Sequence, residues 1–556
     1  MFRMLCLVGA LCVSSASSVL AAPGDVVWSV PVQGEVWGCP AVGPDGVTLW
    51  VGTYKGGARI YRIDGATGTI LDSAWARGLV ENGVALSHDG RLYVPTLPTA
   101  TPPPGFPGVP APGIECFDAT TLTALWFTRT DHTGSDNSPV LGHPQRPNRV
   151  YLGQVADPRA PAGFSCPSRF FNGFDATTGE RVLALPIEGW QASPGVVTPA
   201  GHIFFGAEDL RAVCDSGATP SAVLPGAFHA LTGSDDGSAL WPTFYSAGEF
   251  GGALAWDAGV VWATCRDGYL RGFREEDGAI VFERDLGARA WSGVTIGLHP
   301  VSGRRILYVG TQSEDLGDPG GASTFYAIED DGTPAGAVLW SRVLGAGFAW
   351  GNACMDDQNN VYCTTSAGVL HAFTWDGVPL WTRALPGAGQ VTPLGGVDGP
   401  TLLDNGILVT GSSGGYVLGI QSNGNHLNDR VPWPKYKHDL RNTSNPLTPI
   451  RDSNPPLAVG EPQPGAGVEL APPAPNPVLR SARISLALAR ATRVTLAVHD
   501  LAGRRVRTLA SGTLAAGIHQ CLWDRTDDGG RAVPPGVYRV RASAGALVRS
   551  RSIVVL

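Results

Sequence analysis

The chain has 556 residues, including 74 Gly, 45 Pro and 46 aromatic residues. So much Gly and Pro excludes a coiled coil or any architecture built from long helices. The aromatic content excludes a disordered chain. Because this length exceeds what one hydrophobic core usually supports, the composition predicts an all-β protein with several domains, or with repeats that pack only on their neighbours.

The net charge of −8 is unevenly distributed. Residues 478–556 contain thirteen Arg, no Lys and four Asp, so this segment carries +9 and the rest of the chain carries −17. Since the larger part is acidic and has no basic stripe, we expect no binding to nucleic acid. The contrast also indicates two different domains.

The first residues have the pattern of a secretory signal peptide. Arg3 supplies a short positive region, residues 5–13 are mostly apolar, and Val19-Leu20-Ala21 is a small-residue cleavage site. We expect residues 1–21 to be removed and the mature protein to leave the cytoplasm. No later run reaches the roughly 18 to 20 apolar residues of a membrane span, so we expect no membrane-spanning segment in the mature protein.

A pattern of short strands and turns recurs eight times between residues 24 and 430, at intervals of about 44 to 60 residues. In the first copy, a short strand at residues 40–42 is followed by an Asp45-Gly46 turn and strands at 49–53 and 61–64. A repeat of this length made of four strands is typical of a β-propeller blade, because stacking against neighbours covers both faces of each small sheet. The sequence predicts an eight-bladed β-propeller, with its flanking segment, over residues 22–444.

The last copy lacks a fourth strand. It has strand-like runs at 399–403, 407–410 and 416–420 and then becomes polar. Residues 25–30, before the first copy, have the character of a fourth strand. We predict that this N-terminal strand completes the last blade, which removes two exposed sheet edges.

These copies resemble the pyrroloquinoline-quinone-like propeller repeat family, which includes quinoprotein alcohol dehydrogenases and a non-catalytic propeller of outer-membrane assembly. Residues 174–179, Phe-Asp-Ala-Thr-Thr-Gly, look like the blade-docking motif of that family. Residues 433–443 also resemble a segment that flanks such propellers in secreted bacterial proteins. The Trp residues that end blades in the same manner are Trp126, Trp241, Trp340 and Trp381. The resemblance is specific for the fold and weak for chemistry.

The dehydrogenases of that family use an adjacent pair of cysteines, a calcium ion, a catalytic Asp and often a Cys-x-x-Cys-His haem site. This sequence contains no adjacent cysteines and no such haem motif. Asp136 and Asn137 stand where calcium ligands could lie, although a polar loop is the simpler interpretation. The histidines show no metal-ligand spacing. We therefore expect no cofactor, neither pyrroloquinoline quinone nor calcium, and no metal.

Aromatic residues occupy nearly the same position before the innermost strand of five blades, and we expect them to surround one mouth of the central channel. Exposed rings beside polar groups suit the stacking of a glycan or peptide ligand. The alternative is that the rings wedge between blades as part of the packing. The aromatic residues are Trp37, Trp190, Phe250, Trp291 and Trp350, and the polar neighbours are Asn82, Asp136, Gln191, Asn352 and Gln390.

Eight cysteines follow residue 21, and an oxidising compartment permits disulfide bonds. Cys354 and Cys363 flank a polar turn, which predicts that they lie opposite each other on a hairpin and form a disulfide. Two buried thiols are the alternative.

The last part of the chain contains a linker and a second domain. Ten of the 33 residues in 445–477 are Pro, which predicts a semi-extended linker. Residues 478–556 contain six runs of alternating apolar residues, which predict a small Ig-like β-sandwich.

Motifs in this second domain, in their order and spacing, resemble the type IX secretion sorting domain and the related Ig-like domain of flagellar hook-capping proteins. They are Pro475-Asn476-Pro477, Gly529-Gly530 and residues 498–506, 516–519, 522–524 and 535–538. The resemblance implies a partner in the secretion machinery and export across an outer membrane, with cleavage and surface attachment as further options. A spacer sandwich without a sorting role is the alternative.

The sequence therefore predicts a secreted or cell-surface propeller that binds or scaffolds without catalysis. A quinoprotein-like dehydrogenase, or another enzyme acting at the channel mouth, is the first alternative. A periplasmic scaffold for outer-membrane assembly is the second.

Overall fold

The structure is a computed structural model that divides the chain into two compact units, Met1–Pro455 and Pro456–Leu556. In the first unit it describes residues 21–99, 103–106, 112–130, 137–154, 169–187, 189, 191, 193–209, 225–312, 322–346, 351–386 and 398–452. In the second unit it describes residues 468–470, 478, 482–488, 492–500, 504–514, 517–544 and 547–555. The predicted signal peptide lies outside these ranges except for its last residue, and its cleavage stays a prediction.

Eight four-stranded antiparallel sheets make up the first unit, which confirms the predicted eight-bladed propeller. Strand β1 (Val26–Pro31) precedes the first blade. Blade 1 contains β2 (Ala41–Val42), β3 (Thr48–Gly52), β4 (Arg59–Asp64) and β5 (Ile70–Trp75). Blade 2 contains β6 (Ala85–Leu86), β7 (Arg91–Thr96), β8 (Gly113–Asp118) and β9 (Ala124–Arg129). Blade 3 contains β10 (Val140–His143), β11 (Arg146–Gly153), β12 (Arg169–Asp175) and β13 (Arg181–Ile187). Blade 4 contains β14 (Val196–Val197), β15 (Ile203–Glu208), β16 (Gly226–Leu231) and β17 (Phe244–Ser246).

The second half of the ring repeats this arrangement. Blade 5 contains β18 (Ala255–Asp257), β19 (Val260–Thr264), β20 (Tyr269–Arg274) and β21 (Ile280–Asp285). Blade 6 contains β22 (Thr295–Leu298), β23 (Arg305–Gly310), β24 (Ala322–Glu329) and β25 (Ala337–Ala346). Blade 7 contains β26 (Cys354–Met355), β27 (Val361–Thr365), β28 (Val369–Phe373) and β29 (Pro379–Ala384). Blade 8 contains β30 (Thr401–Leu402), β31 (Ile407–Ser412) and β32 (Tyr416–Gln421).

The N-terminal strand closes the ring. Strand β1 pairs antiparallel with β32, with Val30 opposite Val417, and the sheet order of blade 8 is β1-β32-β31-β30. The predicted completion of the last blade by residues near the N terminus is therefore confirmed. This pairing covers the free edge of β32 and gives β1 a neighbouring strand.

Tryptophan side chains join each of several blades to the next one. The Trp126 indole of blade 2 donates to the carbonyl of Ala176 in blade 3, with an N–O distance of 3.1 Å. Gly179 lies beneath that ring with φ +76°, and a Cβ there would come within 2.5 Å of the indole. The Gly of the predicted docking motif is thus required by both backbone conformation and space. The corresponding indole bonds run from Trp241 to Glu275, Trp340 to Trp375, Trp381 to Asn423 and Trp28 to Gly65.

The alternation of strand direction gives the propeller two distinct faces. Connections from the first to the second strand and from the third to the fourth lie at one end of each blade, which we call the turn face. In blade 1 these are residues 43–47 and 65–69. Connections from the second to the third strand and between blades lie at the other end, which we call the loop face. In blade 1 these are residues 53–58 and 76–84.

The second unit is a sandwich of two antiparallel sheets. Its strands are β33 (Val468–Leu470), β34 (Ala482–Leu488), β35 (Thr492–His499), β36 (Arg505–Leu514), β37 (Gly517–Trp523), β38 (Gly536–Ala544) and β39 (Leu547–Val555). One sheet has the order β33-β34-β37 and the other β36-β35-β38-β39. Ile484, Leu496, Trp523 and Val540 are fully buried in the core between them. The predicted Ig-like sandwich is confirmed.

The predicted linker differs from the structure at both of its ends. Arg451 pairs with Asp404 of blade 8, with an N–O distance of 2.6 Å, so the start of residues 445–477 packs on the propeller. Strand β33, near the end of that range, pairs with β34 of the sandwich. The division into units falls between these two contacts, after Pro455. Proline density alone did not reveal that both ends carry tertiary contacts.

The predicted disulfide between Cys354 and Cys363 is wrong. The hairpin register pairs Cys354 with Tyr362 and Met355 with Val361, so the two cysteines lie on opposite faces of the blade. Cys354 packs in the core shared with blade 8, whereas Cys363 packs in the core shared with blade 6. Both are free, fully buried thiols, and burial raises the pKa of each.

Candidate functional site

A segment that follows blade 8 lies along the first strands of six blades. We call residues 427–452 the axial segment. In each contact a backbone N–H of a first strand donates to a backbone carbonyl of the segment over 2.7 to 3.1 Å. The donor and acceptor pairs are Ile296 to Trp433, Met355 to Pro434, Val42 to Leu440, Leu86 to Arg441, Leu141 to Thr443 and Val197 to Ser444. Because these donors belong to blades 6, 7, 1, 2, 3 and 4, the segment occupies the centre of the ring.

These contacts have a simple physical cause. The first strand of each blade is the inner edge of its sheet. The backbone groups on its free side, which face the central channel, therefore have no neighbouring strand in the sheet. A buried N–H without a partner costs free energy comparable to a lost hydrogen bond. The carbonyl groups of the axial segment satisfy these donors, and the segment thereby holds six blades to one another.

Two of the three lysines in the chain lie in the axial segment, and both are fully buried. The Lys435 ammonium donates to the carbonyls of Tyr436 and Asp439 and to Asn442 Oδ1, over 2.6 to 3.0 Å. All three of its donors are therefore used. Asn442 Nδ2 in turn donates to the carbonyls of Cys39 and Val84, at 3.0 Å each. Such complete pairing is what permits an ammonium group to be buried.

The second lysine is held in a similar way. Lys437 Nζ donates to the carbonyl of Pro139 in blade 3. Burial lowers the pKa of Lys437, while the nearby Asp439 carboxylate acts in the opposite direction. Lys437 and Asn442 have φ values of 59° and 60°, in the left-handed region that non-Gly residues seldom adopt. The axial segment therefore combines buried charge with backbone strain, which marks a precisely fixed element.

Tyr436 lies on the axis itself. Its side chain packs against Cys39 of blade 1 and Ala253 of blade 5, which are on opposite sides of an eight-bladed ring. The Tyr436 hydroxyl is 3.0 Å from Ser138 Oγ of blade 3 and also bonds to the Asp398 carboxylate beside blade 8. Contacts from four directions fix this ring at the centre of the channel.

Asp398 is the most perturbed carboxyl group at this centre. Burial raises its pKa to about 7, and hydrogen bonds from the backbone of Gly83 and Cys39 and from Tyr436 oppose that rise. Asp398 is partly buried, and desolvation by the surrounding protein dominates the pKa of its carboxyl group. Burial also raises the pKa of Cys39 to about 11, so this thiol is protonated at neutral pH and is a poor nucleophile.

The connections between blades contact one another around the axis. The Asp398 N–H donates to the carbonyl of Trp37 at 2.8 Å, and the Asn352 N–H donates to the carbonyl of Asp398 at 3.1 Å. Asn352 Oδ1 accepts the Gly293 N–H at 3.1 Å. At Gly38, a Cβ would come within 2.5 Å of the backbone of Asn82. The predicted residues Asn82 and Asn352 are thus brought into one ring of backbone contacts at the loop face.

The described aromatic residues of the predicted mouth are packed against other side chains. Trp37 is 4% exposed and its indole donates to Glu35 over 2.8 Å, with the Lys55 ammonium 4.9 Å from the ring. Trp291 is partly buried beneath the Arg266 guanidinium, which lies 3.4 Å from its ring. Phe250 is fully buried. The expectation of open rings is therefore corrected at Trp37 and Phe250, since neighbouring side chains cover them.

The remaining predicted residues divide into two groups. Gln191 and Asn352 are 1% and 2% exposed, and within the described ranges neither Gln191 Oε1 nor Asn352 Nδ2 has a hydrogen-bond partner. Asn82 is partly buried. The residues that lie outside the described ranges are Asp136, Trp190, Trp350 and Gln390. Ligand binding at this mouth stays a prediction.

Two absences apply to the described ranges only. The described ranges contain no group of three or more His, Cys, Asp or Glu side chains placed to hold a metal ion. They also contain no helix with the length and apolar character needed to cross a membrane.

Comparison with known proteins identifies the second domain. Residues 480–546 match the FlgD Ig-like domain family. The C-terminal domain is therefore similar to the FlgD Ig-like domain. The basal-body rod modification protein FlgD of Salmonella typhimurium (strain LT2) and that of Salmonella typhi are both 43% identical to this chain over 54 residues. The match covers 10% of this chain and 23% of each relative, so the chain spans under a quarter of the curated relatives it matches.

Solved structures similar to this chain include BamB and two quinohemoprotein alcohol dehydrogenases. BamB from Moraxella catarrhalis is 15% identical with a TM-score of 0.48, over 72% of this chain and 99% of BamB. The quinohemoprotein alcohol dehydrogenase of Comamonas testosteroni is 13% identical with a TM-score of 0.50, over 72% and 77% of the two chains. The quinohemoprotein alcohol dehydrogenase ADHIIG of Pseudomonas putida HK5 is 12% identical with a TM-score of 0.50, over 72% and 76%. At these identities the likeness shows the fold alone.

Sequence reasoning missed the residues at the axis, namely Cys39, Asp398, Tyr436 and the two buried lysines. It treated residues 433–443 only as a flanking segment. One signal was present, because Lys435 and Lys437 are two of only three lysines in a chain with 37 arginines. Their clustering between aromatic residues indicated a special environment.

Proposed function

We propose that the propeller is a binding or scaffold module without catalytic activity, exported through its C-terminal domain to the cell surface or the medium. The observation that carries the non-catalytic part is the axial segment. Tyr436 and the segment around it fill the centre of the ring from the protein's own chain.

The axis residues do not fit a quinone cofactor. A flat cofactor at the centre of the ring would need the space that Tyr436 takes between Cys39 and Ala253. The ammonium of Lys435 is fully used in bonds within its own segment. Cys39 stands between Gly38 and Pro40, so it has no adjacent cysteine partner. We therefore assign no reaction step to this centre.

The loop face is the better candidate for binding a glycan or peptide. Its longest connections are longer than any connection of the turn face. The connection from β7 to β8 runs from residue 97 to 112 and that from β15 to β16 from 209 to 225, whereas the first turn of blade 1 spans only residues 43–47. Long connections on a rigid scaffold commonly carry binding residues.

An oxidation assay tests the non-catalytic proposal. The full purified chain is incubated with pyrroloquinoline quinone and Ca²⁺, and dye-linked alcohol oxidation and quinone absorbance are followed. We expect no turnover and no spectral shift. Saturable turnover by the full chain would contradict the proposal, whether or not a Tyr436→Phe variant retains it.

Ligand binding at the loop face is tested with a glycan and peptide array. We expect the purified chain to retain one ligand class, and a Trp291→Ala variant, which changes a partly buried ring of the loop face, to bind it more weakly while keeping a wild-type circular dichroism spectrum. Exposed Val301, a turn-face residue, gives the matched control Val301→Ala, which should bind as the wild type does. Equal binding by all three proteins would place the site elsewhere.

Export is tested by deleting residues 478–556 and fractionating the cells. The described contacts of the propeller end at Asp452, so the deletion leaves them intact. We expect the shortened chain to accumulate in the periplasm while the full chain reaches the surface or medium. Recovery of the shortened chain outside the cell would refute the sorting role, and retention of the full chain in the periplasm would favour an assembly scaffold.

A further inference from the structure

The outer face of one sheet in the C-terminal domain is strongly basic. Strands β35, β36, β38 and β39 together contain seven Arg and no Asp or Glu. Arg507, Arg549 and Arg551 lie opposite the core residues Val498, Ala542 and Val540, so these three do not belong to the outer face. On β35, Leu496 and Val498 point into the core, so the alternate residues Arg493, Thr495 and His499 point outward. The arginines of this outer face are therefore Arg493, Arg505, Arg539 and Arg541, and its four strands contribute no acidic residue.

The strand register brings several of these cations together. His499 lies directly opposite Arg505 on one side and Arg539 on the other, and Arg541 lies opposite Ala497. Directly opposite residues of a sheet have Cβ atoms about 4.5 to 5.5 Å apart, so like charges in such rows repel each other. Arg539 and Arg541 are exposed and have no ion-pair partner within the described part of the domain.

A shallow depression of about 220 Å³ lies among these rows, lined by Thr495, Ala497, His499, Arg505, Arg541 and Ser543. Small and hydroxyl side chains form part of its lining, which allows a bound group to approach the backbone. Within the described part of the domain, His499 Nδ1 is buried and has no hydrogen-bond partner. A charged rim together with an unused polar atom indicates a site for an anionic group.

The acids of the domain are held in turns at its ends. Asp500 pairs with Arg504 over 2.8 Å and Asp527 pairs with Arg531 over 3.2 Å. Asp528 comes to 3.6 Å from Arg505, at one end of the face. Of the four arginines on the outer face, only Arg505 has an acidic partner within the described part of the domain.

We propose that this sheet face binds an acidic polysaccharide, a flexible chain bearing sulfate, carboxylate or phosphate groups. The outward row from Arg493 to His499 covers six residue steps, roughly 20 Å at about 3.3 Å per residue, which suits a chain of several sugars better than one small anion. The four strands contain only one aromatic residue, Tyr538, and it is buried, so the face has no stacking platform for single-stranded nucleic acid. A depression admits a flexible chain, whereas a flat layer of lipid headgroups would contact only its rim.

The test measures binding of the full purified chain to heparin and to polygalacturonate at several salt concentrations. We expect the logarithm of the binding constant to fall linearly with the logarithm of the salt concentration, as for other polyanions. The variant Arg539→Ser/Arg541→Ser should bind at least tenfold more weakly and show a shallower salt dependence. Arg541→Lys alone should lose less, because it keeps the charge but not the planar fork.

The matched control is Arg504→Ser/Arg531→Ser, which removes the same charge from the turns. These two side chains are each 85% exposed and already paired with Asp. We expect the binding constant of this control variant to change by less than threefold. An equal loss in the control and the face variant, or no binding of either polysaccharide by the wild type, would overturn the proposal. Tighter binding to phosphatidylglycerol vesicles or to an oligonucleotide, with the same sensitivity to Arg539→Ser/Arg541→Ser, would overturn it in favour of that partner.

Discussion

The propeller axis and the sheet face of the C-terminal domain use charged residues in opposite ways. At the axis, Lys435 is fully buried and each of its donors has an acceptor within the axial segment. On the sheet face, Arg539 and Arg541 are exposed and have no ion-pair partner in the described part of the domain. The comparison shows two uses of a cation. Where all its hydrogen-bond donors are paired within the protein, the cation stabilises the fold, and where they are not, it is available to bind a partner.

The largest effect is expected from removing a buried charge at the axis. Lys435→Met keeps the length of the side chain but leaves Asn442 Oδ1 and two carbonyls without their donor. We expect the free energy of unfolding to fall by about 3 kcal/mol or more. Chemical denaturation measures it. The matched control is Lys55→Met, which removes a partly exposed ammonium and should cost about 1 kcal/mol or less. Equal effects of the two substitutions would break the comparison.

Close packing around the axis predicts the next effect. Gly38→Ala would place a Cβ 2.5 Å from the backbone of Asn82, and we expect a loss of about 2 to 3 kcal/mol. Gly90→Ala is the control, since it has φ +79° and no atom within 4 Å, so only backbone strain of about 1 to 2 kcal/mol applies. Thermal denaturation compares the two. A milder effect at Gly38 than at Gly90 would show that the ring of inter-blade contacts is loose.

The buried carboxyl group at the axis predicts a dependence on pH. Burial raises the pKa of Asp398 from its ordinary value near 4 to about 7 in the folded state. Between these values the folded state binds more protons than the unfolded state, so the contribution of Asp398 to stability decreases as pH rises from about 4 to about 7. We expect Asp398→Asn to remove about 2 to 3 kcal/mol of that decrease between pH 4.5 and 7.5. Denaturation at pH 4.5 and 7.5 measures it, and identical pH profiles for the two proteins would contradict the burial of this charge.

The smallest effect is expected on the sheet face. Arg541→Ser removes an exposed cation from a repulsive row, so we expect the stability to change by less than about 0.5 kcal/mol, with any gain largest at low salt. Denaturation at two salt concentrations checks this. A loss above about 2 kcal/mol would mean that Arg541 is part of the structure of the domain and not an available surface charge.

Much of the fold was predictable because it rests on local patterns. The turn residues and short apolar runs predicted eight blades, and the missing fourth strand of blade 8 predicted its completion by β1. Register was harder, since a shift of one residue at the hairpin of blade 7 separates Cys354 from Cys363 onto opposite faces. The axial segment has no strand period, and its contacts join residues such as Leu440 and Val42 that are far apart in sequence. No local pattern encodes such contacts, so the residues around Tyr436 were not recognised as the centre of the ring.

The position of the two closing elements has a consequence for the order of folding. Strand β1 pairs with β32, so its partner is synthesised nearly 400 residues later, and the axial segment follows after that. Single blades form from neighbouring residues, but the ring requires contacts of very long sequence separation, which form slowly. Until residues near 440 are available, the inner edges of the blades stay unpaired and prone to misassembly. The propeller therefore becomes a complete structure only when nearly all of its chain has been made, just before the C-terminal domain follows.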